Sequence, residues 1–108
     1  MVLQEIELTI FKDQKVKTYF FKLTSVLHAI KAVLLTANII TRADEEVIDK
    51  SETAELGMQK LLDILRAKLD SLQQLLDTLR TDDGTKNIAD DLEIIFEELE
   101  PKHKSSQI

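Results

Sequence analysis

The chain has 108 residues, 44% of them apolar and 31% charged, with two Gly, one Pro, no Trp and no Cys. Such a chain makes one small domain at most, is too apolar for disorder and too poor in Gly and Pro for many loops; the absence of Cys excludes disulfides, thiolate metal sites and a Cys nucleophile. The formal net charge of −6 argues against nucleic acid as a partner, because phosphate contact needs a positive surface.

The first segment, 1–15, reads as a strand or extended arm. Ile6, Leu8 and Ile10 alternate with Glu5, Glu7 and Thr9, and Lys12-Asp-Gln-Lys15 reads as a turn. Val16, Thr18 and Phe20 are able to alternate on a return strand, or Val16 begins the helix that follows.

That helix is expected over 17–41. Phe20, Leu23, Leu27, Ile30, Leu34 and Ala37 recur at spacings of 3, 4, 3, 4 and 3, which puts them in one line. Phe21, Leu35 and Ile39 fall on the opposite side, so this helix asks for cover on two faces. Thr41-Arg-Ala-Asp44 has the form of a capping box with Asp in place of Glu, and 42–52 is expected to be a connection with room for one helical turn.

The clearest periodicity lies in 53–80, capped by Ser51 or Thr53. Met58, Leu62, Leu65, Leu69, Leu72, Leu76 and Leu79 step 4-3-4-3-4-3, a coiled-coil seam on a helix about 42 Å long. Gly57 either permits close helix approach or marks a late start. Thr81-Asp-Asp-Gly-Thr85 breaks the pattern, with Gly84 suited to a left-handed cap. A third helix is expected over 86–100, where Ile88, Leu92, Ile95 and Leu99 step 4-3-4; Pro101 should stop it, leaving 101–108 as a polar tail.

The predicted fold is therefore mainly α: an antiparallel bundle of two long helices and a shorter C-terminal one. The third helix is too short to cover the whole Leu seam, so dimerisation of the bundle is expected to complete it.

Charge is distributed unevenly. The stretch from Lys12 to Arg42 carries six basic residues against Asp13, whereas Thr81 to Glu100 carries eight acids against Lys86. The two attract each other within the fold, or one of them meets a partner. On the last helix Asp90, Glu93, Glu97 and Glu100 line up at 3-4-3 spacing. They make a solvated face or a contact surface for a basic partner.

No chemistry-bearing motif is present. His28 and His103 stand apart and form no His-Glu-x-x-His helix, Asp82-Asp-Gly84 lacks the rest of a calcium loop, and there is no Gly-rich phosphate loop or Gly-x-Ser-x-Gly. No metal, cofactor or enzymatic activity is expected. Lys31 in the middle of Leu23 to Ile40 argues against a membrane span. The N-terminus lacks the form of a signal peptide, and with the absence of Cys this predicts a cytoplasmic protein. The expected function is protein–protein interaction, as a small adaptor, chaperone or regulator that binds a partner helix. The candidate contact residues are Phe21, Leu35, Ile39, Glu93, Glu97 and Glu100. The alternative is a small dimeric nucleic-acid-linked regulator that uses Lys12 to Lys22.

Overall fold

The computed structural model describes residues 5–105, with side chains described as far as Glu100. Among these residues there are seven α-helices, one 3₁₀ turn and no strand: α1 Glu5–Phe11, α2 Gln14–Phe21, the 3₁₀ turn Thr24–Val26, α3 Leu27–Thr36, α4 Arg42–Asp49, α5 Ala54–Lys68, α6 Leu72–Arg80 and α7 Lys86–Ser105. The helices fold into a globule with a radius of gyration of 13.4 Å. Both long helices expected from the sequence are broken.

The strand or arm expected over 1–15 is corrected first. Residues 5–11 are helical, and residues 1–4 lie outside the described residues. Ile10 and Phe11 are neighbours and both are buried. A strand points neighbours to opposite faces, whereas a helix turns them by only about 100° and lets both reach one core. Asp13 then starts α2, its carboxylate accepting from the backbone N–H of Lys15 at 2.9 Å. Phe11 and Phe20 meet edge to face with ring centroids 6.1 Å apart, fixing α1 against α2.

The helix expected over 17–41 is two helices, α2 and α3, with the chain bent by 60° between them. Leu23-Thr-Ser-Val26 at the bend contains β-branched and hydroxyl residues, which favour helix weakly. The helical path stops again after Thr36. Asn38 takes a left-handed conformation, φ 61°. The Ile39 N–H donates to Leu34 O at 3.0 Å and the Asn38 N–H to Leu35 O at 3.1 Å, the pair of bonds that defines a Schellman cap. Ile39 is thereby turned off the helix and into the core, as is Ile40. The second apolar face assigned to this helix belongs to a path that is not straight.

Thr41 caps α4 as its sequence predicts. Its hydroxyl accepts from the Asp44 N–H at 3.2 Å, and the Asp44 carboxylate accepts from the Thr41 N–H at 2.9 Å. The connection expected over 42–52 thus holds a helix of 8 residues. Thr53, not Ser51, caps α5, accepting from the Leu56 N–H at 3.1 Å. Gly57 lies where α5 meets α4. A Cβ there would stand 3.3 Å from Leu27 Cδ2 and 3.4 Å from Ile48 O, so the helices approach closely here and leave room for little more than a methyl group.

The seam helix expected over 53–80 breaks at Leu69 to Ser71. Ser71 begins α6 by accepting from the Gln74 N–H at 3.1 Å, and the Gln74 carboxamide accepts from the Asp70 N–H at 2.8 Å. Ser71-x-x-Gln74 is a capping-box sequence. All seven seam residues are buried within one chain, none more than 7% exposed, because α5 and α6 each turn their share of the seam into one core.

Gly84 does not adopt the left-handed cap expected of it. Its N–H donates to Asp82 Oδ2 at 3.0 Å, and a Cβ there would stand 2.9 Å from that oxygen. The end of α6 is closed instead by Thr85, fully buried, whose hydroxyl donates to Leu79 O at 2.6 Å. α7 begins at Lys86 and continues through Pro101 to Ser105, past the expected stop. Of the tail expected over 101–108, the backbone of 101–105 is helical, and 106–108 lie outside the described residues.

α7 packs on α6, α1 and α2, while α5 packs on α4, α2 and the 3₁₀ turn. α3 touches both groups, through α6 and α4. Lys31 of α3 is buried and ion-paired with Asp49 of α4. No single helix among the described residues is long and apolar enough to cross a membrane; α2 with the stretch Thr24–Thr36 has the composition but is bent at the junction.

Candidate partner-binding groove

α1, α6 and α7 enclose an open cleft of about 470 Å³. Ile6 and Ile10 of α1, Leu72 and Leu76 of α6 and Phe96 of α7 supply its apolar lining. Glu7, Gln73, Glu93, Glu97 and Glu100 supply the polar lining, so four carboxylates and no Lys or Arg face the cleft among the described residues. The volume falls within the roughly 300–1,000 Å³ usual for ligand clefts.

Helical spacing places each wall. Ile6 with Ile10, and Leu72 with Leu76, are i,i+4 pairs, each on one face of its helix. On α7, Glu93, Phe96, Glu97 and Glu100 share a face, with Phe96 inward among the core residues. Glu7 is fixed in place: its Oε2 accepts from the Leu72 N–H at 2.8 Å, at the positive start of α6. Glu93 lies 3.1 Å from an Arg80 guanidinium nitrogen, and Asp90 lies 3.6 Å from the same atom. The effect is largest from Glu93, whose hydrogen bond holds the Arg80 guanidinium above its ordinary pKa.

The six residues chosen from the sequence separate into two groups. Glu93, Glu97 and Glu100 come together along the cleft. Phe21 and Leu35 are half-buried and pack against the core, Ile39 is buried in it, and none of the three lines the cleft. The sequence reading missed the floor entirely: Ile6, Ile10, Leu72 and Leu76 converge only after α1 and α6 have folded as separate helices. The Ser71 cap, which starts α6, was the local signal that pointed that way.

The basic stretch meets the acidic one. Lys15 is ion-paired with Glu98, and the Tyr19 hydroxyl donates to Asp91 at 2.8 Å, both between α2 and α7. The Lys17 ammonium lies 5.7 Å from the centre of the Phe21 ring. His28 is exposed. Among the described residues no group of three His, Asp or Glu side chains is placed to hold a metal ion.

Fold and cleft together define a small, mainly helical protein with an apolar groove bordered by carboxylates. No family model matches the chain, and no curated protein or solved structure matches it significantly.

Proposed function

We propose that the protein is a non-enzymatic binding module, an adaptor, chaperone or regulator, that holds an amphipathic helix with basic flanks in the groove between α1, α6 and α7. The observation that carries this reading is the apolar floor bordered by four carboxylates with no basic residue among the described lining. A helix laid in such a groove inserts apolar anchors at i, i+3 or i+4, and i+7. From Glu93 to Glu100 the acidic wall runs about 10 Å along α7, two turns of a partner. Lys or Arg beside the anchors would meet that wall, giving the complex its orientation and its on-rate.

The working unit of this reading is one chain. A homodimer was expected in order to cover the Leu seam, but the seam needs no second chain for cover. The α6–α7 pair, joined by a short connection and packed together, supplies two of the three groove walls. The cysteine-free sequence suits a reducing compartment such as the cytoplasm. The alternative, a nucleic-acid-linked regulator using Lys12 to Lys22, has less support, because Lys15 is engaged by Glu98 and Lys17 lies on Phe21.

The test is a fluorescence titration with a synthetic Leu/Lys amphipathic helix of about 14 residues, four turns, against its Leu/Glu counterpart. The Lys peptide is expected to bind and the Glu peptide not to. Glu97→Lys, at an exposed position, should weaken the Lys peptide about tenfold. Equal binding of both peptides, or indifference to Glu97→Lys, would overturn the proposal.

A further inference from the structure

We infer that the chain has a second assembled form, a domain-swapped dimer in which residues 54–80 make one continuous helix and the α6–α7 hairpin packs on a second copy. The inference is independent of the groove reading. It starts from a mismatch between pattern and structure: the seam from Met58 to Leu79 keeps its 4-3 step across the break at Leu69 to Ser71. A continuous helix would place all seven residues on one line without any change of register. No residue that breaks a helix by its backbone forces the stop, since Lys68-Leu-Asp-Ser-Leu72 contains neither Gly nor Pro.

Side chains hold the break. The Leu72 N–H donates to Glu7, the Gln74 N–H to Ser71 and the Asp70 N–H to Gln74. In a continuous helix the same three N–H groups would find the carbonyls of Lys68, Asp70 and Arg66, four residues back. A continuous helix would also give the Ser71 and Gln73 N–H groups the carbonyls of Ala67 and Leu69, so three side-chain bonds are exchanged for five backbone bonds and backbone hydrogen bonding does not oppose straightening the hinge. The exchanged unit, α6 with α7, packs on α1, α2 and α3. Apart from the Glu7–Leu72 bond, those contacts are the same whether one chain or two supply them, which is why swapping is a low-cost route to a dimer. Each groove of the dimer would take α1 from one chain and α6 and α7 from the other.

The experiment refolds the full chain from denaturant at micromolar and at millimolar concentration and reads mass by light scattering after size exclusion. The expected result is monomer at the low concentration and a dimer fraction at the high one. Once isolated, that dimer should persist for hours after dilution and return to monomer after brief unfolding, because exchange requires opening the core. Ser71→Ala, which removes a cap needed only by the broken form, should raise the dimer fraction severalfold. Asp70→Gly, which opposes helix through the hinge, should lower it. Monomer alone at millimolar wild-type chain overturns the inference, as does a dimer that dissociates at once on dilution. Should Ser71→Ala not fold, the wild-type and Asp70→Gly arms decide by the same criteria.

Discussion

Asn38 does what no other described non-glycine residue in the chain does: it takes a positive φ. The consequence extends past the residue. With Asn38 left-handed, α3 ends, Ile39 and Ile40 turn into the core, and Thr41 is placed to cap α4. Asn is among the residues that tolerate this region; a β-branched side chain is not. Asn38→Gly is therefore expected to hold or slightly raise stability. Asn38→Val should lower it by about 1–2 kcal/mol, the cost of forcing a β-branched side chain into the left-handed well. Urea midpoints at unchanged slope measure both. Two variants of equal stability would remove the left-handed cap as the reason for the turn. Thr85 shows the same economy at the other end of the chain, where one buried hydroxyl closes α6.

Between elements, α4 and α5 come close together at Gly57. The atom nearest a new Cβ is Leu27 Cδ2, the end of a partly buried side chain, and Ile48 O lies at ordinary contact distance. Gly57→Ala should thus gain most of the helix propensity that glycine forgoes, a net stabilisation of below about 1 kcal/mol. Gly57→Leu has no room and should cost about 1–3 kcal/mol by forcing the two helices apart. Thermal melts of the pair would show opposite shifts, and a tolerated Leu would mean the helices are not held at this spacing. The stripes themselves were legible in the sequence: Leu62 and Leu76, Ile88 and Leu92 all face the core their spacing assigned them. Their continuity was not legible. A 4-3 step says which side of a helix is apolar, and it reads the same whether the helix runs straight or stops and folds back. The stops lie in short polar signals, Asn38 before Ile39 and Ser71 three residues before Gln74, which a run of leucines outweighs. The acidic wall of the groove could be read from α7 alone; its floor could not, because it draws on helices separated by 60 residues or more of chain, from Ile6 and Ile10 to Leu72 and Phe96.

At the scale of the molecule, charge joins elements that sequence keeps apart. Lys15–Glu98 links α2 to α7, Lys68–Asp44 links α5 to α4, and Lys31–Asp49 links α3 to α4. For Asp44, burial pushes the carboxyl up, but the hydrogen bond from Lys68, those from the Thr41 backbone and hydroxyl, and the Lys68 charge outweigh it and hold the group below the ordinary carboxylate value. A group whose folded pKa is lowered adds stability above its unfolded value, about 4, and loses it as pH falls through the folded value. Tyr19 has the opposite sign. Burial first, then donation to Asp91 and the Asp91 charge, raise its pKa. Its contribution is present below the unfolded value of about 10 and is lost as pH rises through the folded one. Asp44 should therefore contribute to a loss of stability in acid, and Tyr19 to a loss in alkali. The gap in urea midpoint between wild type and Asp44→Asn is expected to close as pH drops below about 4, and that between wild type and Tyr19→Phe to close above about 10. A gap for Asp44→Asn as wide in acid as at neutrality would show that the α4–α5 tie does not depend on the ionised carboxylate.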